Sequence, residues 1–269
     1  MDGAKPVSRI SSIAQVILQV LRDKLSWRFM ACPQCLYKYQ SLSAHSLAGL
    51  LNGTIWLAKP SSFNDPLDCA ISVDRDKMDA SIYQAIKDVT ESKGLQDLDG
   101  IRPEDRRAFE TFRSRILELL QDMGICSFSG VSNSLLMWSH YGAHHRGFCV
   151  EYDAGEGTEL RGLVKEVLYS DDAPSLSAQD VTSKAGGSVE KLYLTKAACW
   201  AYEQEWRVIM PQGNKPFQAP SKVLSVIFGA RMPDSDRTMI TYALRHQSGV
   251  ALKEAKLVEG KFILEIVEV

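Results

Sequence analysis

The sequence predicts an α+β fold: a mixed or largely antiparallel central sheet carrying a helical insertion. Three observations lead there. Short apolar segments with period-two alternation, such as Gly147–Tyr152 (GFCVEY), recur along the chain and read as strands. Stripes of helical spacing interrupt them without regular βαβ alternation. One strand, Val223–Gly229 (VLSVIFG), is apolar throughout and reads as central. The expected organisation is an N-terminal helical extension over 1–30 and one α+β domain over 31–269, with the helical insertion at 74–123.

In order, Ile10, Ile13, Val16, Ile17, Val20 and Leu25 recur at helical spacing, with Ser8, Ser11 and Ser12 near the start as capping residues. This helix either docks on the main body or serves as a homodimer or partner contact. Leu36–Ser41 is a first strand, with Leu36, Lys38 and Gln40 on one face and Tyr37 and Tyr39 on the other. Ser43–Asn52 is a helix stopped by Asn52-Gly53, and Thr54–Ala58 is a strand. Asn64-Asp65-Pro66 marks a turn, and Asp65 and Asp68 there could orient a ligand or a catalytic neighbour.

The insertion carries two apolar stripes, one from Met78 to Val89 and one from Phe109 to Leu120. Ile125–Ser129 is a strand, and Ser132 or Asn133 caps the helix bearing Trp138, His140 and Tyr141. Gly147–Tyr152 places Phe148, Val150 and Tyr152 opposite Cys149 and Glu151. Leu163–Tyr169 is a strand and Ser188–Ala198 a helix. Gln204–Met210 is a strand that puts Glu203, Glu205 and Arg207 on one face. Pro233–Gln247 is a helix, and Val250–Ala255 and Lys261–Val267 are closing strands.

Composition narrows the function. The chain has 269 residues, 45% apolar and 24% charged, with a formal net charge of -2. That is long enough for a full core and gives no global basic field to capture nucleic acid. No apolar run has the length of a membrane span, and the N-terminus lacks a signal core, so a cytoplasmic protein without membrane contact is expected. Cys32 and Cys35 form a lone CxxC with no second pair, which reads as thiols rather than a zinc site. No metal site is expected. Dinucleotide, Walker, nucleophile-elbow and HExxH motifs do not occur in the sequence.

Two dense stretches remain: LLMWSHYGAHHRGFCVEYD (Leu135–Asp153) and CWAYEQEWRVIM (Cys199–Met210). Polar aromatic groups need partners when buried, so such a cluster lines a pocket or makes a polar core. If the two stretches meet, carboxylates and rings share one hollow.

The fragments LYKYQS, NGTIWLAKPSSFNDPLDC, CSFS, the two dense stretches and VIFG, in that order from Leu36 to the Gly229 region, resemble the bacterial domain-of-unknown-function 2971 family. More distantly, the order of features is similar to ADP-ribosyltransferase-like folds: a first strand with a polar ligand residue (Lys38 or Tyr39), aromatic residues in the middle (Trp138, Tyr141), and a late Glu203-x-Glu205. A first-strand Arg or His and a Ser-Thr-Ser strand are lacking. That resemblance implies an NAD-using transferase, a toxin or phage-defence effector, with NAD or another nucleotide and an acceptor macromolecule as partners.

In such chemistry a carboxylate stabilises the oxocarbenium-like ribosyl centre and aligns the acceptor. Glu205 takes this role, Glu203 assists the acceptor, and His140 and Asn64 bond ribose or amide. Trp138 and Tyr141 stack on flat rings, Lys38 meets phosphate, and Arg207 holds Glu205 or contacts phosphate. The bland alternatives are a Glu205–Arg207 ion pair, a core His140 bonded to Asp65, and Trp138 as core filler. Two other functions fit the same residues: a metal-dependent nuclease using Asp65, His140, Glu203 and Glu205, and a non-enzymatic module that senses a ligand or partner.

Overall fold

The computed structural model of the chain describes residues 32–69, 114, 118, 120–174 and 187–269. The expected N-terminal helix with its expected docking or dimer contact, and most of the expected 74–123 insertion, lie outside the described residues.

Twelve strands are present among the described residues: β1 (Cys35–Gln40), β2 (Thr54–Leu57), β3 (Gly124–Ser129), β4 (Phe148–Asp153), β5 (Val164–Glu166), β6 (Leu168–Ser170), β7 (Thr195–Ala197), β8 (Glu205–Met210), β9 (Lys215–Gln218), β10 (Val223–Phe228), β11 (Ala251–Leu257) and β12 (Leu264–Glu268). The helices are α1 (Ala44–Asn52), α2 (Leu135–His140), α3 (Glu159–Leu163), α4 (Gly187–Leu194) and α5 (Asp234–Leu244). Short 3-10 helices cover Pro60–Ser62 and Ala198–Glu203. Eight strands form one sheet in the order β12-β11-β10-β4-β1-β3-β8-β5. Only β10 and β11 run parallel in it; the other pairs are antiparallel. This is the expected α+β class with a largely antiparallel sheet.

Alternation decides the two faces. Leu36, Phe148, Val150, Tyr152, Val226, Phe228, Phe128 and Val208 share one apolar cluster with Leu50 of α1, Leu160 of α3 and Ile240 and Leu244 of α5. The other face packs Tyr39, Cys149 and Ile227 against Met137 and Trp138 of α2. Because β4 is covered on both sides, its residues Phe148–Tyr152 are all buried. On the α2 side a row of paired polar residues crosses five strands: Glu205↔Ser129, Ser129↔Tyr37, Tyr37↔Glu151 and Glu151↔Ser225. The functional questions concern this row.

Several boundaries differ from expectation for local reasons. The cap of α2 is Ser134, whose side chain accepts from Met137 N, rather than Ser132 or Asn133. The expected strand Leu163–Tyr169 is split, Leu163 ending α3 while β5 joins the main sheet and β6 pairs with β7. The helix expected to reach Ala198 ends at Leu194. Glu203 is not on β8: it ends a 3-10 helix, and Gln204 (φ 44°) turns the chain through the left-handed region before the strand starts.

Candidate active site

The β1–β3 contact is the weak seam of the sheet. Only Tyr37 and Ser129 pair across it, whereas β1 and β4 pair along all six β1 residues. Where the strands part, Lys38 Nζ donates to the Ser127 carbonyl (3.1 Å) and lies over the Phe128 ring. A cavity of about 390 Å³ opens at this seam, within the ~300–1,000 Å³ range of ligand sites. Its walls come from β1 (Tyr37, Lys38, Tyr39), the 3-10 turn and loop after β2 (Ser62, Phe63, Asn64, Asp68), and β3 (Ser127, Phe128, Ser129). Helix α2 adds Met137, His140 and the following Tyr141, and Lys196, Glu203 and Glu205 complete the wall. The two dense sequence stretches therefore do meet.

Helix α2 is brought over the sheet by the turn that follows it. Ala143, His144 and His145 all have positive φ (49°, 56° and 66°), reversing the chain into β4. L residues rarely adopt this conformation in succession. Gly147 ends the turn against the Gln40 carbonyl, where a Cβ would lie 2.1 Å from that oxygen. No side chain fits there.

An ionic cluster forms part of the cavity wall, with Arg207 behind it. Arg207, 0% exposed, donates from Nε to Glu205 Oε1 (2.7 Å) and from Nη2 to Glu205 Oε2 (2.9 Å) and both Asp68 oxygens (2.9 and 2.7 Å). Its Nη1 reaches the Tyr193 carbonyl (2.7 Å) and Cys69 Sγ (3.1 Å), and Phe63 lies over its guanidinium. Lys196 Nζ bonds Glu203 Oε2 (2.5 Å) and Glu205 Oε2 (3.1 Å) and lies 3.3 Å from Asp68 Oδ2. The second oxygen of Glu203 accepts from the Tyr141 hydroxyl (2.6 Å). Among the described residues, then, three carboxylates (Asp68, Glu203, Glu205) face two cations (Lys196, Arg207), a surplus of one negative charge.

The two glutamates are both 3% exposed, yet they titrate in opposite directions. Burial pushes the Glu205 carboxyl up, but the Arg207 fork, with Lys196 and Ser127, more than offsets this and holds it at about 2. For Glu203 burial wins over Lys196 and Tyr141, and its carboxyl is raised. Burial would lower the Lys196 ammonium, but Glu205, Glu203 and Asp68 together raise it. Burial and the Glu203 carboxylate raise the Tyr141 phenol, so it remains a proton donor.

These contacts place each predicted residue. Glu203, His140, Tyr141, Lys38, Tyr39 and Asn64 line the cavity, with the Tyr39 hydroxyl held by the Val131 carbonyl (2.8 Å). Glu205 borders the cavity too, with its oxygens bonded to Arg207 and Lys196, just as those of Glu203 are bonded to Tyr141 and Lys196. Arg207 holds Glu205 and is sealed from any phosphate. Trp138 is a correction: it is 0% exposed, donates its indole N–H to the Ser132 carbonyl (2.9 Å) and packs edge-on against Tyr39. Its side chain belongs to the core, which leaves no face for a ligand ring. Asp65 does not line the cavity either; it accepts from Trp200 Nε1 (2.8 Å), and His140 Nδ1 bonds the Tyr202 hydroxyl (2.8 Å) rather than Asp65.

Lys196 was missed, because its stretch reads as continuous helix and only the β7 pairing turns its side chain into the cluster. A lysine inside the apolar run LYLTKAACW was the available signal. Tyr37, Ser127 and Ser129 were missed because their role depends on strand register. No group of three or more His, Cys, Asp and Glu is arranged to hold a metal ion among the described residues.

No helix among the described residues is long and apolar enough to cross a membrane. No curated protein and no solved structure matches the chain. The family comparison does find a match: residues 137–208, which carry the last four residues of α2 and the Glu203–Arg207 stretch, match the family model of the protein of unknown function DUF2971.

Proposed function

We propose that this protein is an enzyme that binds a nucleotide in the cavity and breaks its N-glycosidic bond, with NAD as the substrate and Glu203 as the working carboxylate. The observation that carries this reading is the surplus negative charge of the buried cluster; of its three carboxylates, which all line the cavity, Glu203 is the one whose carboxyl is raised. A ribosyl centre that becomes cationic as its C1′–N bond breaks is met by that charge in a low-dielectric wall. The bonding electrons leave with nicotinamide as the neutral base. The incoming hydroxyl forms the new bond to C1′, and its proton passes to Glu203. Tyr141 and Lys196 hold the two Glu203 oxygens in place meanwhile.

Glu205 and Arg207 keep Lys196 and Asp68 in position and touch no substrate. Tyr37, Tyr39, Phe63 and Tyr141 supply the ring surfaces that Trp138 does not, while Lys38, Asn64 and His140 offer hydrogen bonds to ribose or amide. The ADP-ribosyltransferase-like order of features supports the choice of NAD. The acceptor is water or a macromolecule, and a toxin or phage-defence role would follow from NAD consumption.

Purified protein is incubated with NAD, nicotinamide release is followed by chromatography, and binding by calorimetry. Release that collapses in Glu203→Gln, with the fold intact by circular dichroism, supports the reading. Absence of both binding and release, with or without cell extract as acceptor, ends it.

A further inference from the structure

The cavity, about 390 Å³, is small for a dinucleotide, and three carboxylates line it with Lys38 and Lys196, so one nucleoside half is placed inside. The phosphates and the second base have to leave through the mouth. His140 stands there: it lines the cavity, is exposed, and leads outward to Trp200 and Tyr202. The three rings touch one another, with centroids 6.3 Å apart for His140–Trp200 and 6.0 Å for both His140–Tyr202 and Trp200–Tyr202.

Each ring is fixed by a polar anchor instead of by deep burial. The indole N–H of Trp200 is bonded to Asp65, the Tyr202 hydroxyl is bonded to His140 Nδ1, and Lys196 Nζ lies 5.1 Å from the Trp200 ring centre. Trp200 and Tyr202 remain partly exposed. Rings held in place before a ligand arrives lose little freedom on binding, and a flat base stacks on such surfaces regardless of its identity.

We infer that the His140–Trp200–Tyr202 ring cluster is a second binding subsite, which takes the base of a dinucleotide that projects from the cavity. The inference rests on the nucleotide reading above and adds to it the part of the substrate that lies outside the cavity. The subsite selects dinucleotides over mononucleotides and takes no part in bond breaking.

The test compares NAD with nicotinamide mononucleotide in the wild type, Trp200→Ala, Tyr202→Leu and the conservative Trp200→Phe, each checked for folding by thermal melting. Trp200→Ala and Tyr202→Leu raise KM for NAD about tenfold, the scale of one lost base–ring stack. They leave kcat and the KM for the mononucleotide unchanged, and Trp200→Phe restores most of the NAD affinity. Equal effects on both nucleotides, or no effect on either, overturn the subsite while leaving the proposed reaction standing. If the wild type turns over neither nucleotide, the reaction fails, and adenosine monophosphate then decides the subsite alone. Quenching of tryptophan fluorescence by it, weakened in Trp200→Phe, supports the subsite, and no quenching refutes it.

Discussion

The polar row across the sheet ends in two clusters that share a geometry and differ in charge. At the β4–β10–β11 end, Glu151 accepts from Tyr37 (3.2 Å), Lys253 (2.7 Å) and, through a very short bond, Ser225. One carboxylate meets one cation, and although burial raises the Glu151 carboxyl, Lys253 and Ser225 bring it below its usual value. At the β3–β8 end, the described residues set three carboxylates against two cations beside an open cavity. A buried ion pair is tolerated when its charges and hydrogen bonds are matched. The Glu151 cluster satisfies that condition and reads as structural. The Glu203 cluster has one more carboxylate than it has cations among the described residues, and perturbed groups of this kind collect at functional sites.

Breaking the cationic side of the unbalanced cluster has the largest expected consequence. Arg207→Ala leaves Asp68 and Glu205 buried against Lys196 alone. A loss of about 3–5 kcal/mol or outright failure to fold is expected, measured by urea denaturation. Removing the surplus charge sharpens the contrast from the other side. Glu203→Gln leaves two carboxylates for two cations. It is expected to keep or raise stability while lowering nicotinamide release about a hundred- to ten-thousand-fold. A variant that loses stability and activity together would place Glu203 with the structural residues.

Acid titration separates the two glutamates. The folded Glu205 carboxyl lies at about 2 against an ordinary 4.5, so the unfolded chain binds the proton first as pH falls. The stabilisation is fully present above pH 4.5 and is lost toward pH 2. Glu203 has the opposite sign: its raised carboxyl makes the folded state bind the proton first, so its contribution falls as pH rises. Denaturation midpoints measured from pH 2 to 8 should therefore show a steep acid limb in the wild type and in Glu203→Gln. That limb should be weaker in Glu205→Gln.

In the balanced cluster, Lys253→Met strands Glu151 with two hydroxyl donors and is expected to cost about 1–3 kcal/mol in the same denaturation assay. Tyr37→Phe removes a single hydrogen bond to Glu151, for about 1 kcal/mol. A large effect of Lys253→Met on nicotinamide release would blur the distinction between the two ends.

Elements with strong local signals were legible in the sequence. The faces of β4 were readable because side chains alternate along any strand, and α1 was readable from the Asn52-Gly53 stop, where Gly53 is left-handed. Glu203 and Glu205 were recognisable as a pair, but not what each is bonded to. That depends on Gln204 leaving the strand conformation, and on Lys196 and Asp68 arriving from distant segments. Trp138 was misplaced because a tryptophan on a short helix has the same spacing whether it faces a ligand or Tyr39.

By itself, then, the sequence determined the α+β class, most strand faces and the two segments that enclose the cavity, because period, caps and turn residues act over a few neighbours. Only the tertiary structure decided the ionic partners, the β1–β3 seam and the opposite directions in which Glu205 and Glu203 titrate. Burial and charge pairing are set by residues far apart in the chain, and no local pattern encodes them.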